Sequence, residues 1–280
     1  MAPREILMSE RISVDIQDGV ADVRLTRSDK MNALDDQMFK ALIETGQRMK
    51  TEKGIRAVVL SGEGRAFCAG LDMGNFGKMA KSNDDSGSKS NKKRNALAPR
   101  THGLANRAQY AAWVWREVPV PVIAAVHGVA FGGGFQVCLG ADIRYVAPDT
   151  KMSIMEIKWG LVPDMAGTQL MRHLAREDIV RELTYTGRIF SGEEALGYGF
   201  ATRVVEDPRA LALETAREIA GKNPDAIRAN KRIFNAAPYV DVGAGLLTES
   251  VEQDEIIGSA NQIESIMSTM EKRPGKFADA

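Results

Sequence analysis

Cysteine is nearly absent from this chain, with two among 280 residues, Cys68 and Cys138. They lie far apart and form no C-x-x-C pair, which argues against a disulfide framework or a zinc site. Both sit in apolar surroundings and are expected to be buried free thiols in a reducing compartment. His102, His127 and His173 share no metal-ligand spacing and read as packed or surface side chains. Net charge is absent too, because Lys plus Arg and Asp plus Glu both total 37, so overall charge points to neither nucleic acid nor an anionic membrane. No apolar run approaches the roughly 20 residues that span a bilayer. The N-terminus shows no apolar signal core and the C-terminus no S-K-L address, which leaves the cytoplasm as the expected location. Neither G-x-x-x-x-G-K nor G-x-S-x-G occurs, and two candidate dinucleotide fingerprints fail, with Phe67 and Val137 where a glycine belongs.

What is present describes an ordinary soluble globular protein, 44% hydrophobic and 26% charged. Residues 12–26 alternate around Asp18-Gly19 and predict a β-hairpin. Asn32 is a candidate cap for a helix over 33–50. Ala57-Val58-Val59-Leu60 reads as a short buried strand. Residues 77–103 are rich in Ser, Asn and Lys and read as a mobile surface insertion, with a basic run from Lys89 to Arg94. A helix near 105–116 follows. Lys151 to Ile157 reads as a strand with Glu156 on an apolar face, and 164–174 as a helix. Ile179, Val180 and Leu183 form a helical stripe that ends near Gly187, and Ser191 to Glu194 is a capping box. After a short strand at 202–205, Asp207-Pro208 and Asn223-Pro224 each read as N-cap and first helical residue. The pattern is α/β up to about residue 206 and helical from 207 to 280.

The most informative stretch runs from Val126 to Thr168. A β-rich approach leads to Gly132, Gly133 and Gly134, and then to an apolar segment with helical spacing. Glycine lets other groups approach its backbone closely. A helix that starts there leaves its first N–H groups unpaired, and these suit a negative oxygen. Glu156 and Asp164 follow, and a loop could bring both near that oxygen. An anion-stabilising nest beside proton carriers suggests enolate chemistry. The competing readings are a strand-end salt bridge for Glu156, with Lys158 or Arg144, and a plain helix cap for Asp164.

The segments Phe67-Cys68-Ala69-Gly70-Leu71-Asp72 and Gly128-Val129-Ala130-Phe131-Gly132-Gly133-Gly134, together with Gly160 to Thr168, resemble the crotonase superfamily, which includes the enoyl-CoA hydratases and isomerases. The likeness covers nearly the whole chain. It implies a crotonase (ClpP-like) ββα spiral core over 1–206 and a helical trimerisation region over 207–280. It also implies a homotrimer or a dimer of trimers that acts on acyl-CoA, with coenzyme A as part of the substrate and neither metal nor redox cofactor. By the same resemblance the N–H groups of Leu71 and Gly133 form an oxyanion hole. Lys30, Met31 and Ala33, with Ala69 and Asp72, hold the CoA.

Hydratases of this family use two glutamates, one of which matches Glu156 and the other Gln136. A glutamine amide orients water but carries no proton near neutral pH. Dienoyl-CoA isomerases of the family carry an aspartate where Asp164 stands. The expected function is therefore double-bond isomerisation by Glu156 and Asp164, with Gln136 positioning substrate or water. The alternatives are an enoyl-CoA hydratase running on Glu156 with Gln136, and a non-catalytic acyl-CoA- or RNA-binding relative. The acyl pocket is expected from the 77–116 region and from residues around Trp159.

Overall fold

The structure is a computed structural model and describes residues 4–74 and 97–279, with the side chains of residues 4–8 left aside. In chain order it runs β1 (Arg4–Ser9), β2 (Ile12–Gln17), β3 (Val20–Leu25), α1 (Asp36–Thr51), β4 (Ala57–Gly62), α2 (Arg107–Glu117), β5 (Val122–Val126), β6 (Val129–Phe131), α3 (Gly133–Leu139), β7 (Ile143–Val146) and β8 (Lys151–Ser153). A 3-10 turn at Met155–Trp159 precedes α4 (Gly167–Met171), α5 (Glu177–Thr186), α6 (Gly192–Tyr198), β9 (Arg203–Val204), α7 (Pro208–Ala220), α8 (Pro224–Ala236), α9 (Val242–Ile256) and α10 (Ala260–Met270).

β2 and β3 pair antiparallel with Gln17 opposite Val20, so the turn is Asp18-Gly19. Both turn residues have positive φ, 50° and 81°, as the twist of a two-residue hairpin requires. From β3 onward the main sheet is parallel, in the order β1-β2-β3-β4-β5-β7-β9. A second, two-stranded sheet pairs β6 with β8, and isolated bridges from Cys68 to Ala130 and from Met152 to Phe190 extend that layer. The chain therefore winds as a spiral, in which a main-sheet strand leads to a short second-layer segment and then a helix.

The central parallel strands β4 and β5 are buried on both faces, which explains their apolar runs. In β4, Val58 and Leu60 point into the larger core with Leu42, Trp115 and Phe135. Ala57 and Val59 point the other way, toward Ala212, Ala216 and Ala220 of α7. Burying each such aliphatic side chain contributes roughly 1.5–3 kcal/mol. The first helix of the C-terminal region thus closes the second face of the sheet. α8 is tied in by Lys231, whose ammonium donates to Asp142 at 2.8 Å and to the Val120 carbonyl at 2.9 Å. Further on, apolar side chains stay exposed, including Phe234, Val242, Leu246, Leu247 and Met270. Both cysteines are fully buried, and that burial pushes each thiol up to about 12.

The hairpin, the capping box at Ser191, and the Asp207 and Asn223 caps are present as expected. Asn32 is not a cap. It is buried at φ 55° and donates its amide to the carbonyls of Glu63 and Ala66, while Asp35 caps α1 by accepting from Met38 N–H at 2.7 Å. The strand expected through Ile157 stops at Ser153, because the chain turns into the 3-10 segment that carries Glu156. α4 begins only at Gly167, capped by Ala166 with no side-chain bond, so Asp164 is not its cap. The Lys89–Arg94 run lies outside the described residues. Past it, residues 97–103 are held in place, with the Arg100 guanidinium donating to the Leu97 carbonyl at 2.7 Å and to Gln109 at 2.8 Å.

α3 carries Gly133, and its seat is aromatic. Phe135 meets Phe190 and Phe200 edge-on at centroid distances of 5.7 and 5.3 Å, with all three rings buried. Phe135→Ala should therefore destabilise the fold by about 3–5 kcal/mol in urea denaturation. A loss under 1 kcal/mol would mean that this cluster does not fix α3.

Candidate active site

One cleft of about 1450 Å³ opens between the 27–36 segment, the 69–74 loop, the start of α3 and the 155–165 segment. Lys30, Met31, Ala33, Ala69, Leu71, Asp72, Gly133, Glu156 and Asp164 all line it. Stretches that lie far apart in sequence meet here because successive turns of the spiral stack their second-layer segments.

The two glycine-bearing loops touch. Gly70, at φ 84°, packs so closely on the entrance to α3 that a methyl there would lie 2.5 Å from the Phe131 carbonyl oxygen and 3.7 Å from the Gly133 nitrogen. Only glycine fits that approach. Strand-like bonds hold the loop: Leu34 N–H donates to Gly70 O, and Asp72 N–H to Leu34 O. These bonds skip Leu71. Gly133 is the first helical residue, so its N–H has no partner within α3. Among the described residues no protein carbonyl accepts from Leu71 N–H or Gly133 N–H. Leu71 and Gly133 both line the cleft, and a pair of main-chain donors that converge can bind an oxygen that gains negative charge.

Beside them sits Glu156, 9% exposed. A methyl at Gly132 would lie 3.3 Å from its Oε1, which places the carboxylate against the glycine turn. Oε1 accepts from the Gln136 amide at 2.6 Å, whereas Oε2 is buried with no partner. Desolvation pushes this carboxyl above the usual range, the Gln136 donor pulls it down, and the negative charge of Asp164 pushes it up again. Asp164 is accessible to water along the cleft, yet the surrounding walls crowd it enough that desolvation raises its carboxyl as well. No side-chain partner for Asp164 appears among the described residues. The salt bridge considered for Glu156 does not form, because Arg144 donates to the Phe200 and Ala141 carbonyls and Lys158 lies over the Trp159 ring.

Gln136 lies deeper than the other candidate residues: at 1% exposure it stands behind Glu156 and is not among the residues that line the cleft. Its oxygen accepts from Met165 N–H at 2.8 Å and from Gly167 N–H at 2.9 Å. Asp72 lines the cleft with its carboxylate committed to Arg27 at 2.6 Å and to Gly74 N–H at 2.7 Å, which together hold that carboxyl below the usual range. Lys30 is exposed on the wall without a side-chain partner among the described residues. Phe39, Met165 and Ile189 line the cleft but carried no signal in the sequence, whereas Leu97, Ala108 and Trp159 come from the regions expected. Among the described residues no cluster of His, Cys, Asp or Glu is arranged to hold a metal, and no helix is long and apolar enough to cross a membrane.

The model of the enoyl-CoA hydratase/isomerase family matches residues 15–280. The mouse mitochondrial Delta(3,5)-Delta(2,4)-dienoyl-CoA isomerase is 30% identical over 286 residues, covering 98% of this chain and 84% of that protein. The mouse mitochondrial methylglutaconyl-CoA hydratase is 29% identical over 266 residues, covering 92% and 79%. Among solved structures, an enoyl-CoA hydratase from Bacillus anthracis superposes with a TM-score of 0.83 at 28% identity, over 95% of this chain and 98% of that one. The spiral is the crotonase fold.

A carboxyl whose pKa is raised by folding binds its proton more tightly in the native state. Its contribution to stability is fully present below the ordinary carboxylate pKa and is lost as pH rises through the raised one. Glu156→Gln should therefore be more stable than the parent at pH 8, with the advantage shrinking toward pH 4, as read by urea midpoints. An advantage that grows toward low pH would contradict the burial argument.

Proposed function

Because this chain belongs to the enoyl-CoA hydratase/isomerase family, we propose that it shifts the double bonds of an unsaturated acyl-CoA. The thioester oxygen docks on Leu71 N–H and Gly133 N–H. Glu156 takes a proton from the acyl carbon next in line. The electron pair released moves onto the thioester oxygen as an enolate, which the two N–H groups stabilise more than the starting carbonyl. Asp164 returns a proton farther along the conjugated chain, and the double bonds migrate. The bond made and the bond broken are both C–H, so the step needs neither a metal nor a redox cofactor. Lys30, Met31 and Ala33, with Ala69 and Asp72, line the path for the CoA arm.

The observation that carries this reading is the distribution of polar atoms around Glu156. Two carboxyl groups, Glu156 and Asp164, share the cleft, and both are raised toward the range where a carboxyl takes and gives protons. The third polar group, Gln136, stands behind Glu156 and outside the cleft wall, with its oxygen and one N–H bonded to protein. It is poorly placed to hold a water against the acyl chain. Water addition is the second reading, favoured by the likeness to the methylglutaconyl-CoA hydratase. The exposed apolar residues of α9 and α10 further support assembly with other copies of this chain, as a trimer or a pair of trimers.

Two assays separate the readings. A 3,5-dienoyl-CoA should show the absorbance change of isomerisation, while crotonyl-CoA should gain water slowly or not at all. Rapid hydration without isomerisation would reverse the assignment. Asp164→Asn should lower kcat for the dienoyl substrate by about a hundredfold or more while KM stays within roughly twofold. Unchanged turnover would remove Asp164 from the chemistry.

A further inference from the structure

We propose that Gln136 is a positioning residue, a buried amide that locks the Glu156 carboxylate and the loop bearing Asp164 into one mutual geometry, holding Oε1 of Glu156 and leaving Oε2 without a hydrogen-bond partner. The inference rests on the isomerase reading for its kinetic consequences, but its geometry stands apart from that reading.

Three contacts define the lock. The Gln136 amide nitrogen donates to Glu156 Oε1 at 2.6 Å, and its oxygen accepts from Met165 N–H at 2.8 Å and Gly167 N–H at 2.9 Å. One residue lies between those two donors, Ala166, which holds a left-handed φ of 66°. An alanine does not rest there by preference. A single oxygen that accepts from both sides of Ala166 clamps the turn in that conformation. The clamp is tight, since a methyl on Gly167 would lie 2.6 Å from the same oxygen. Asp164 sits immediately before this turn, so the clamp places the segment that carries its carboxyl.

Only an amide of this length serves both ends. The loop demands an acceptor and Glu156 demands a donor. A glutamate would still accept from Met165 and Gly167 but would set a carboxylate against a carboxylate, and two such groups in contact cannot both ionise freely. A methionine of similar volume supplies neither donor nor acceptor. The donor to Oε1 also opposes the effect of burial on Glu156, and so keeps a deeply placed carboxyl available as a base.

Two variants separate the two halves of the lock. Gln136→Glu keeps the loop clamp and removes the donor, and Gln136→Met removes both. Glu156 can be titrated by isotope-edited infrared spectroscopy of its carboxyl, with Glu156→Gln to assign the band. In both variants the titration should move up by about one to two pH units, the loss expected when a carboxylate gives up a charge-assisted hydrogen bond. The acid limb of kcat/KM for the dienoyl substrate should move by the same amount, with KM nearly unchanged. Thermal unfolding should fall in Gln136→Met but stay close to the parent in Gln136→Glu. A Glu156 titration that stays in place in Gln136→Glu would overturn the proposal, even if Gln136→Met fails to fold. Should the parent protein show no isomerisation at all, the infrared titration still decides the positioning role, and only the assigned reaction falls.

Discussion

A main-chain N–H is a strong donor, and nearly every such group in a folded protein finds an acceptor. The structure turns on two that find none among the described residues, those of Leu71 and Gly133. Leu71 N–H is left over because the bonds between Leu34 and the 70–72 loop skip it. Gly133 N–H is left over because a helix starts there. Both residues line the same cleft, and Gly70 packs against the Phe131 carbonyl beside them, a closeness that no residue with a side chain permits. The rest of the fold holds that contact in place. The parallel sheet stacks the turns of the spiral, the Phe135 cluster seats α3, and the Arg27–Asp72 ion pair ties the loop to the 27–35 segment.

Around this pair the electrostatics follow from burial more than from charge. Among the described residues no cation touches Glu156 or Asp164, so both carboxyl groups rise above their ordinary values for lack of water. The negative charge of Asp164 raises Glu156 further. In the proposed chemistry such a pair shuttles a proton better than a salt-bridged carboxylate, whose proton affinity would be too low. The neutral amide of Gln136 adds direction without adding charge. It occupies one oxygen of Glu156 and leaves the other buried without a hydrogen-bond partner.

Much of this was legible in the sequence wherever the cause is local. The Asp18-Gly19 hairpin, the Ser191 capping box and the Asp207 and Asn223 caps each depend on a few adjacent residues. The triple-glycine segment marked the cleft because close backbone approach demands glycine, and the F-C-A-G-L-D segment marked it through its resemblance to the crotonase superfamily. Other features depend on partners distant in sequence. Asn32 has the composition of a cap, but the carbonyls of Glu63 and Ala66 draw its side chain inward. The alternation after Lys151 imitates a strand, yet the chain turns at Met155 and ends in a left-handed Gly160. Gln136 shows the limit most clearly. Its residue type excluded proton transfer, but its three partners lie 20 to 31 positions away and left no mark on the local pattern.

The most direct test of the account is the vibrational spectrum of a thioester carbonyl, carbon-13 labelled and bound to the Glu156→Gln protein, which should hold an unsaturated acyl-CoA without converting it. Two N–H groups on one oxygen should polarise the carbonyl and lower its stretching frequency well below that of the free thioester in water. A carbonyl band that stays at its aqueous position on saturating binding would mean that Leu71 and Gly133 do not share a substrate oxygen, and the enolate chemistry built on them would have no support.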